Sequence, residues 1–289
     1  MSAANPLFAS LADGLSTTLD PLQFAARLGF PKLDDWQKQL LLHRDDKRVI
    51  LACGRQVGKT EIVSIMALFE AITRPGSLVI ILAASLRQSG LLFSRVKNHY
   101  GKLQNTMGAT QSTALTLSLQ NGSRIVALPA REETIRGWAN VSTLLIDEAA
   151  HVDTDLYRAT RAFLAVSNGR LILLSTPHSK RGFFFDAWTN PDEDWTRIRV
   201  TTEEISRTSG RVSDEFLQQE RKALGDAWYR QEYLAEFVDS AYALIPYAVI
   251  QHAIDPSLKM LDIDLDSDDD DEFRLQYDSK QLDIDLDSD

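Results

Sequence analysis

Val49-Ile50-Leu51-Ala52-Cys53-Gly54-Arg55-Gln56-Val57-Gly58-Lys59-Thr60 decides the fold of this chain. It starts as an apolar strand, turns through two glycines and ends in Gly-Lys-Thr before a helical pattern. That is the layout of a phosphate-binding loop, where backbone N–H groups and a helix N-terminus cradle phosphate oxygens. The loop assigns Gly54, Arg55, Gln56, Gly58, Lys59 and Thr60 to nucleotide binding. Lys59 would reach the β- and γ-phosphates of ATP, and the Thr60 hydroxyl would ligate Mg²⁺. The general spacing has a glycine five residues before Gly58, and Cys53 stands there instead.

Working outward, 60–73 has helical periodicity (Ile62, Ile65, Met66, Phe69) and stops at Pro75-Gly76. Leu78-Val79-Ile80-Ile81-Leu82-Ala83-Ala84 is a near-continuous apolar run, as in a strand buried on both faces of a parallel sheet. Residues 85–103 form the next helix. Residues 113–128 alternate Leu115, Leu117 and Leu119 before Asn121-Gly122, which predicts a hairpin with a two-residue turn. Upstream, Asp34 is a candidate N-cap for an amphipathic helix over 34–42. Gln37 on that helix carries both a donor and an acceptor. It is either a reader of the adenine edge or a surface polar residue on a packed helix.

Leu144-Leu145-Ile146-Asp147-Glu148 is an apolar strand ending in two carboxylates, and Leu171-Ile172-Leu173-Leu174 ends in Ser175-Thr176-Pro177. Strands alternating with helices, with functional residues at the strand C-termini, predict an α/β P-loop NTPase with a mainly parallel, helix-flanked sheet of the RecA type. Asp147 then stands where a carboxylate holds Mg²⁺, and Glu148 where one orients or deprotonates the attacking water. A β segment near 195–200 and helices over 214–224 and 226–237 complete the body.

The net charge of -10 belongs to one end. Residues 259–289 hold thirteen Asp and Glu against Lys259, Arg274 and Lys280, so the remainder is neutral and not electrostatically barred from nucleic acid. Leu261-Asp262-Ile263-Asp264-Leu265-Asp266-Ser267-Asp268 recurs at 282–289, without the Gly turn and distal Glu of an EF-hand, and reads as a solvated tail. Hydrophobic residues make up 44% of the chain, ample for a core. A single cysteine excludes an internal disulfide and a Cys-rich zinc site and fits a reducing compartment. The N-terminus lacks a signal-peptide pattern, and no apolar run approaches the ~20 residues of a membrane span. The organisation expected is a lead-in over 1–32, the ATPase domain over 33–205, a helical subdomain or linker over 206–258 and the acidic tail over 259–289.

Gly54 to Thr60, Arg136-Gly137, Leu145-Ile146-Asp147-Glu148-Ala149-Ala150-His151-Val152 and Ser175-Thr176-Pro177, in that order, resemble the ATPase half of tailed-phage terminase large subunits. Ala84-Ser85-Leu86-Arg87-Gln88-Ser89 and Tyr229-Arg230-Gln231-Glu232-Tyr233-Leu234-Ala235-Glu236-Phe237 agree, and the likeness covers 33–246. The resemblance implies a packaging motor, cytoplasmic in a bacterial host. Its partners would be double-stranded DNA, a portal protein, a terminase small subunit and further copies of itself on the portal. It implies that Arg55 senses the γ-phosphate, that Arg136 is an arginine finger for a neighbouring subunit, and that Thr176 couples hydrolysis to movement. About fifty residues follow Phe237, too few for the nuclease domain of such subunits, so no nuclease activity is expected of a chain that is truncated, frameshifted or split. Two other readings compete: a helicase-like DNA-dependent ATPase, and a non-catalytic, nucleotide-binding remnant.

Overall fold

Alternating burial explains why the strands read as continuous apolar runs. In β1 (Arg48–Cys53) Val49 and Leu51 enter one core while Ile50 enters another; in β2 (Leu78–Ala83) Val79 and Ile81 part in the same way from Ile80 and Leu82. Both faces of the sheet are therefore dry at β1 and β2, as a parallel sheet covered by helices requires. The computed structural model describes residues 20–103, 108–135 and 137–239. Arg136 and the acidic tail lie outside the described residues.

The helices are α1 (Pro21–Arg27), α2 (Asp35–Leu42), α3 (Lys59–Thr73), α4 (Leu86–Gly101), α5 (Glu132–Ile135), α6 (Thr154–Arg161), α7 (Phe183–Thr189), α8 (Thr202–Ser209), α9 (Asp214–Leu224) and α10 (Asp226–Leu234). The remaining strands are β3 (Ala109–Ser112), β4 (Thr116–Leu119), β5 (Arg124–Pro129), β6 (Thr143–Asp147), β7 (Arg170–Ser175) and β8 (Thr196–Val200). They form one sheet in the order β3-β4-β5-β2-β6-β7-β1-β8. From β5 to β8 every neighbour is parallel; β4 runs antiparallel to both β3 and β5. The α/β class with a mainly parallel sheet is thus as the sequence predicts.

One face carries α1, α2, α3 and α4, with Phe24 against Phe69 at a centroid distance of 5.1 Å. The other carries Phe163, Phe183, Phe184 and Trp195. A separate small core of Val212, Leu217, Tyr229 and Tyr233 joins α9 to α10.

Two local expectations are corrected. The β4–β5 connection is not a two-residue turn: Gly122 N–H donates to Leu119 O (3.0 Å) and Leu119 N–H to Ser123 O (2.8 Å). Gly122, at φ +82, is the left-handed residue that closes a three-residue loop. Asn121 Nδ2 donates to Ala71 O (2.8 Å), tying the hairpin tip to the end of α3. The last helix stops at Leu234, not Phe237, because Ala235 adopts φ 50, ψ 47. Phe237 then packs on Phe184 and Phe185, with centroids 5.8 and 5.2 Å away.

Candidate functional site

The site lies at the C-terminal ends of β1, β6 and β7, where an open α/β sheet places its ligands. Cys53, the last residue of β1, is fully buried, and burial pushes its thiol up to about 12. The glycine of the loop comes one residue later. A Cβ on Gly54 would lie 2.5 Å from Thr202 Oγ1 and 2.8 Å from Tyr233 O. The departure from general spacing thus has a steric cause: the tight approach in this chain falls at 54. Gln56 (φ 59) and Gly58 (φ 95) take left-handed conformations that turn the chain into α3. Among the described residues no acceptor takes the N–H groups of Gln56, Val57 or Gly58, which remain free for an anion.

The loop is held by the end of β8 and by the segments that follow it. Gly54 N–H donates to Val200 O (2.8 Å), Arg55 N–H to Glu232 O (2.8 Å), and Thr202 Oγ1 to Arg55 O (2.8 Å). Arg211 donates to Val57 O (3.1 Å) and also pairs with Asp34. Gln37 is buried; its Oε1 accepts from Asp34 N–H (3.0 Å), and its Nε2 would sit 3.1 Å from a Cβ on Gly58.

Facing the loop, Asp147 ends β6 at 8% exposure. One of its oxygens accepts from Glu148 N–H (3.0 Å). Burial raises its carboxyl to about 6 against the pull of Lys59. Glu148, in the left-handed region (φ 51, ψ 42), is in a conformation that a non-glycine residue keeps only where its surroundings enforce it. Lys59 Nζ donates to its Oε1 (3.2 Å), and Ser175 Oγ lies 3.4 Å from Oε2 while donating to Thr176 O (2.8 Å). Burial opposes the charge on Lys59, yet Glu148, Cys53 and Asp147 together raise its pKa.

Lys59, Glu148, Thr176, Arg55 and Gln56 line one cleft of about 320 Å³. Thr60 stands half-buried in the first turn of α3. Gln88, His151, Gln231 and Glu232 also line the cleft, without a role assigned from sequence. The His178 ring lies tilted against His151 (centroids 4.7 Å apart), and its pKa is lowered by burial, then by His151 and Arg181. Glu232 and Arg211 lie more than 150 residues from the loop they hold, and no motif spacing signals them. Among the described residues no group of three or more His, Cys, Asp or Glu forms a metal cluster. The donor set suits a cation held partly by phosphate: Asp147 is buried, with Lys59 as its neutralising neighbour, and Thr60 offers a hydroxyl.

The family model "Terminase large subunit, T4likevirus-type, N-terminal" matches residues 50–252. The terminase large subunit of Thermus virus P23-45 is 29% identical over 233 residues, which cover 69% of this chain and 48% of that protein. This chain spans about half the length of the curated relatives it matches. Among solved structures, the large terminase ATPase domain of Thermus phage P74-26 superposes with a TM-score of 0.64 at 25% identity, covering 75% of this chain and 98% of that one. The large terminase of another thermophilic bacteriophage, solved in complex with ADP, shares the fold with a TM-score of 0.53 at 12% identity, over 78% of this chain and 53% of that one. A match over most of the chain, spanning the phosphate loop, the Asp147-Glu148 strand and Ser175-Thr176, leaves one conclusion: this chain belongs to the terminase large-subunit family of tailed phages and carries its N-terminal, P-loop ATPase domain.

Proposed function

We propose that this chain hydrolyses ATP to drive double-stranded DNA into a viral procapsid, working as several copies on a portal protein with a terminase small subunit. The observation that carries the ATPase reading is the Lys59–Glu148 pair, 3.2 Å apart across a cleft whose floor is a loop of free N–H groups. Loop amides and Lys59 bind the β- and γ-phosphates; Arg55 adds a second cation. Lys59, drawn onto phosphate, releases Glu148, which orients the water and takes its proton. Ser175, its hydroxyl donated to Thr176 O, lies 3.4 Å from the carboxylate. Asp147 and Thr60 would hold Mg²⁺, which when bound neutralises phosphate charge.

Gln37 offers adenine its Nε2, its Oε1 being committed to Asp34. Thr176, buried at the rim beside the hydroxyl that touches Glu148, is placed to pass a change at the phosphates into the loop that follows β7. Arg136 is the proposed finger in trans. Among the described residues no helix is long and apolar enough to cross a membrane.

The test uses Glu148→Gln and Lys59→Ala. Glu148→Gln should bind ATP as the parent does and lose turnover by at least about 10²-fold, because an amide cannot accept the proton. Lys59→Ala should lose binding. Parent-rate hydrolysis by Glu148→Gln sinks the assignment, and a parent protein with no DNA-stimulated ATPase activity returns the chain to the remnant reading.

A further inference from the structure

We propose that the protein binds a phosphate group at the opposite end of the sheet from the nucleotide cleft, in a cavity lined by Arg44, Lys47, Arg74 and Arg170. The cavity measures about 580 Å³. Its walls include Thr143 and Arg170, the first residues of β6 and β7, and Glu70 and Arg74 at the C-terminal end of α3. Those two strands run from here to Asp147 and Ser175 on the nucleotide side. The six residues of β7 put about 16 Å between its ends, so this is a second site and not a branch of the first.

Four cations line the cavity against two carboxylates, Asp45 and Glu70. Glu70 is shared: its Oε1 accepts from Arg74 (3.2 Å), and its Oε2 lies 4.0 Å from Arg44. Lys47 gives one of its three donors to Asn168 O (2.8 Å). Arg170 is the decisive residue. It is only 9% exposed, and carbonyl groups orient it: Nε donates to Asp46 O (2.8 Å) and Nη2 to His43 O, while Nη1 reaches only the Met66 sulfur at 3.8 Å. Carbonyl dipoles fix a guanidinium without neutralising it, and among the described residues no carboxylate accepts from this one. Arginine is almost never fully buried unless paired. Burial accordingly lowers its pKa; Glu70 and Asp46 oppose this, and Arg44 adds to it. An arginine serving only to brace the chain between α2 and β1 would need its carbonyl contacts, but not three further cations around the same recess. A surplus of two positive charges matches a phosphate, which carries up to two negative charges and more acceptor oxygens than a carboxylate. The arginines bring forked donors suited to those oxygens, and Arg170 is already immobilised.

The experiment compares thermal melts of the full chain in sodium phosphate and in sodium chloride of equal ionic strength. Two chains are used: Lys59→Ala, and Lys59→Ala carrying Lys47→Gln and Arg74→Gln as well. Phosphate held by the nucleotide loop then counts equally in both. Lys47 and Arg74 are exposed, so their replacement leaves the core intact. The first chain should melt about 2–4 °C higher in phosphate, and in the second that rise should shrink at least about twofold. No rise in the first chain, or an equal rise in both, overturns the site. If the paired substitutions abolish the cooperative melt in chloride, Arg74→Gln alone takes their place with the same expectation. A second arm identifies the source of the phosphate by titrating a short fluorescent DNA duplex with each chain. Where the melts support the site, weaker duplex binding by the second chain, with a salt slope shallower by about 2, assigns it to the DNA backbone. Equal duplex binding assigns it to a free phosphate anion.

Discussion

Gly54 is the residue on which the phosphate loop depends sterically. A methyl group there would strike Thr202 Oγ1 and the Tyr233 carbonyl, and the second contact is backbone that cannot swing aside. Gly54→Ala is therefore expected to destabilise the protein by about 1–3 kcal/mol through overpacking. Urea denaturation reads this, and the cost should shrink in a Thr202→Ala background if the hydroxyl is the main clash. Cys53 behaves oppositely. It is a buried strand residue, so moving a glycine back to 53 should lower stability without improving ATP binding. The odd spacing at Cys53 is visible in the sequence, but its cause is a contact with residues 202 and 233, which spacing cannot express.

At the scale of elements, α3 and α4 are joined by a partly buried polar contact. Glu61, in the first turn of α3, accepts from Arg95 (2.6 Å) and meets His99 Nε2 at 3.0 Å. His99 is buried, its Nδ1 has no partner, and Phe30 lies edge-on to its ring at 5.4 Å. Burial lowers its pKa; Glu61 works against that, while Lys102 and Arg95 add to it. The sign follows: the native state binds the proton less readily than the unfolded chain, whose histidine titrates near about 6.5. Stability is then complete above that pH and falls as pH drops through the native value. His99→Gln should flatten this acid-side loss in urea titrations between neutral pH and pH 5, and an unchanged pH profile would refute the linkage.

The elements themselves were legible because their signals are local. Apolar runs gave the parallel strands, and Pro75-Gly76 the end of α3. What was not legible depends on partners distant in sequence. Strand β3 is exposed along its whole length and carries no apolar pattern. The hairpin glycine sits third in its loop because the tip is anchored to α3. Lys59, Asp147, Glu148 and Thr176 were readable as motif members, and they meet in one small region. Glu232 and Arg211, which hold the loop, lie more than 150 residues from it, and neither was given a role from the sequence.

At the scale of the whole molecule, the open question is how one site communicates with another copy. Arg136 lies outside the described residues, but its neighbours are fixed. Ile135 is buried at the end of α5, Trp138 Nε1 donates to Thr134 O (3.0 Å), and Gly137 adopts φ +87. The described residues on either side lead toward β6, the strand that ends in Asp147 and Glu148. We propose that Arg136 is a finger reaching the ATP of a neighbouring subunit. A cation supplied across an interface stabilises charge on the transferring phosphoryl group and contributes on the order of 10³-fold or more in rate. If Arg136 acts in trans, the isolated chain should be a poor ATPase that improves when copies gather on a portal ring. Arg136→Ala and Glu148→Gln subunits should each be inactive alone. Mixed, they should recover part of the rate, because some interfaces then pair an intact Glu148 with an intact Arg136. A role within its own subunit predicts no recovery at any ratio. The mixture is read by steady-state phosphate release, with native mass spectrometry to show that both variants share one assembly, and no recovery in such assemblies would end the trans assignment.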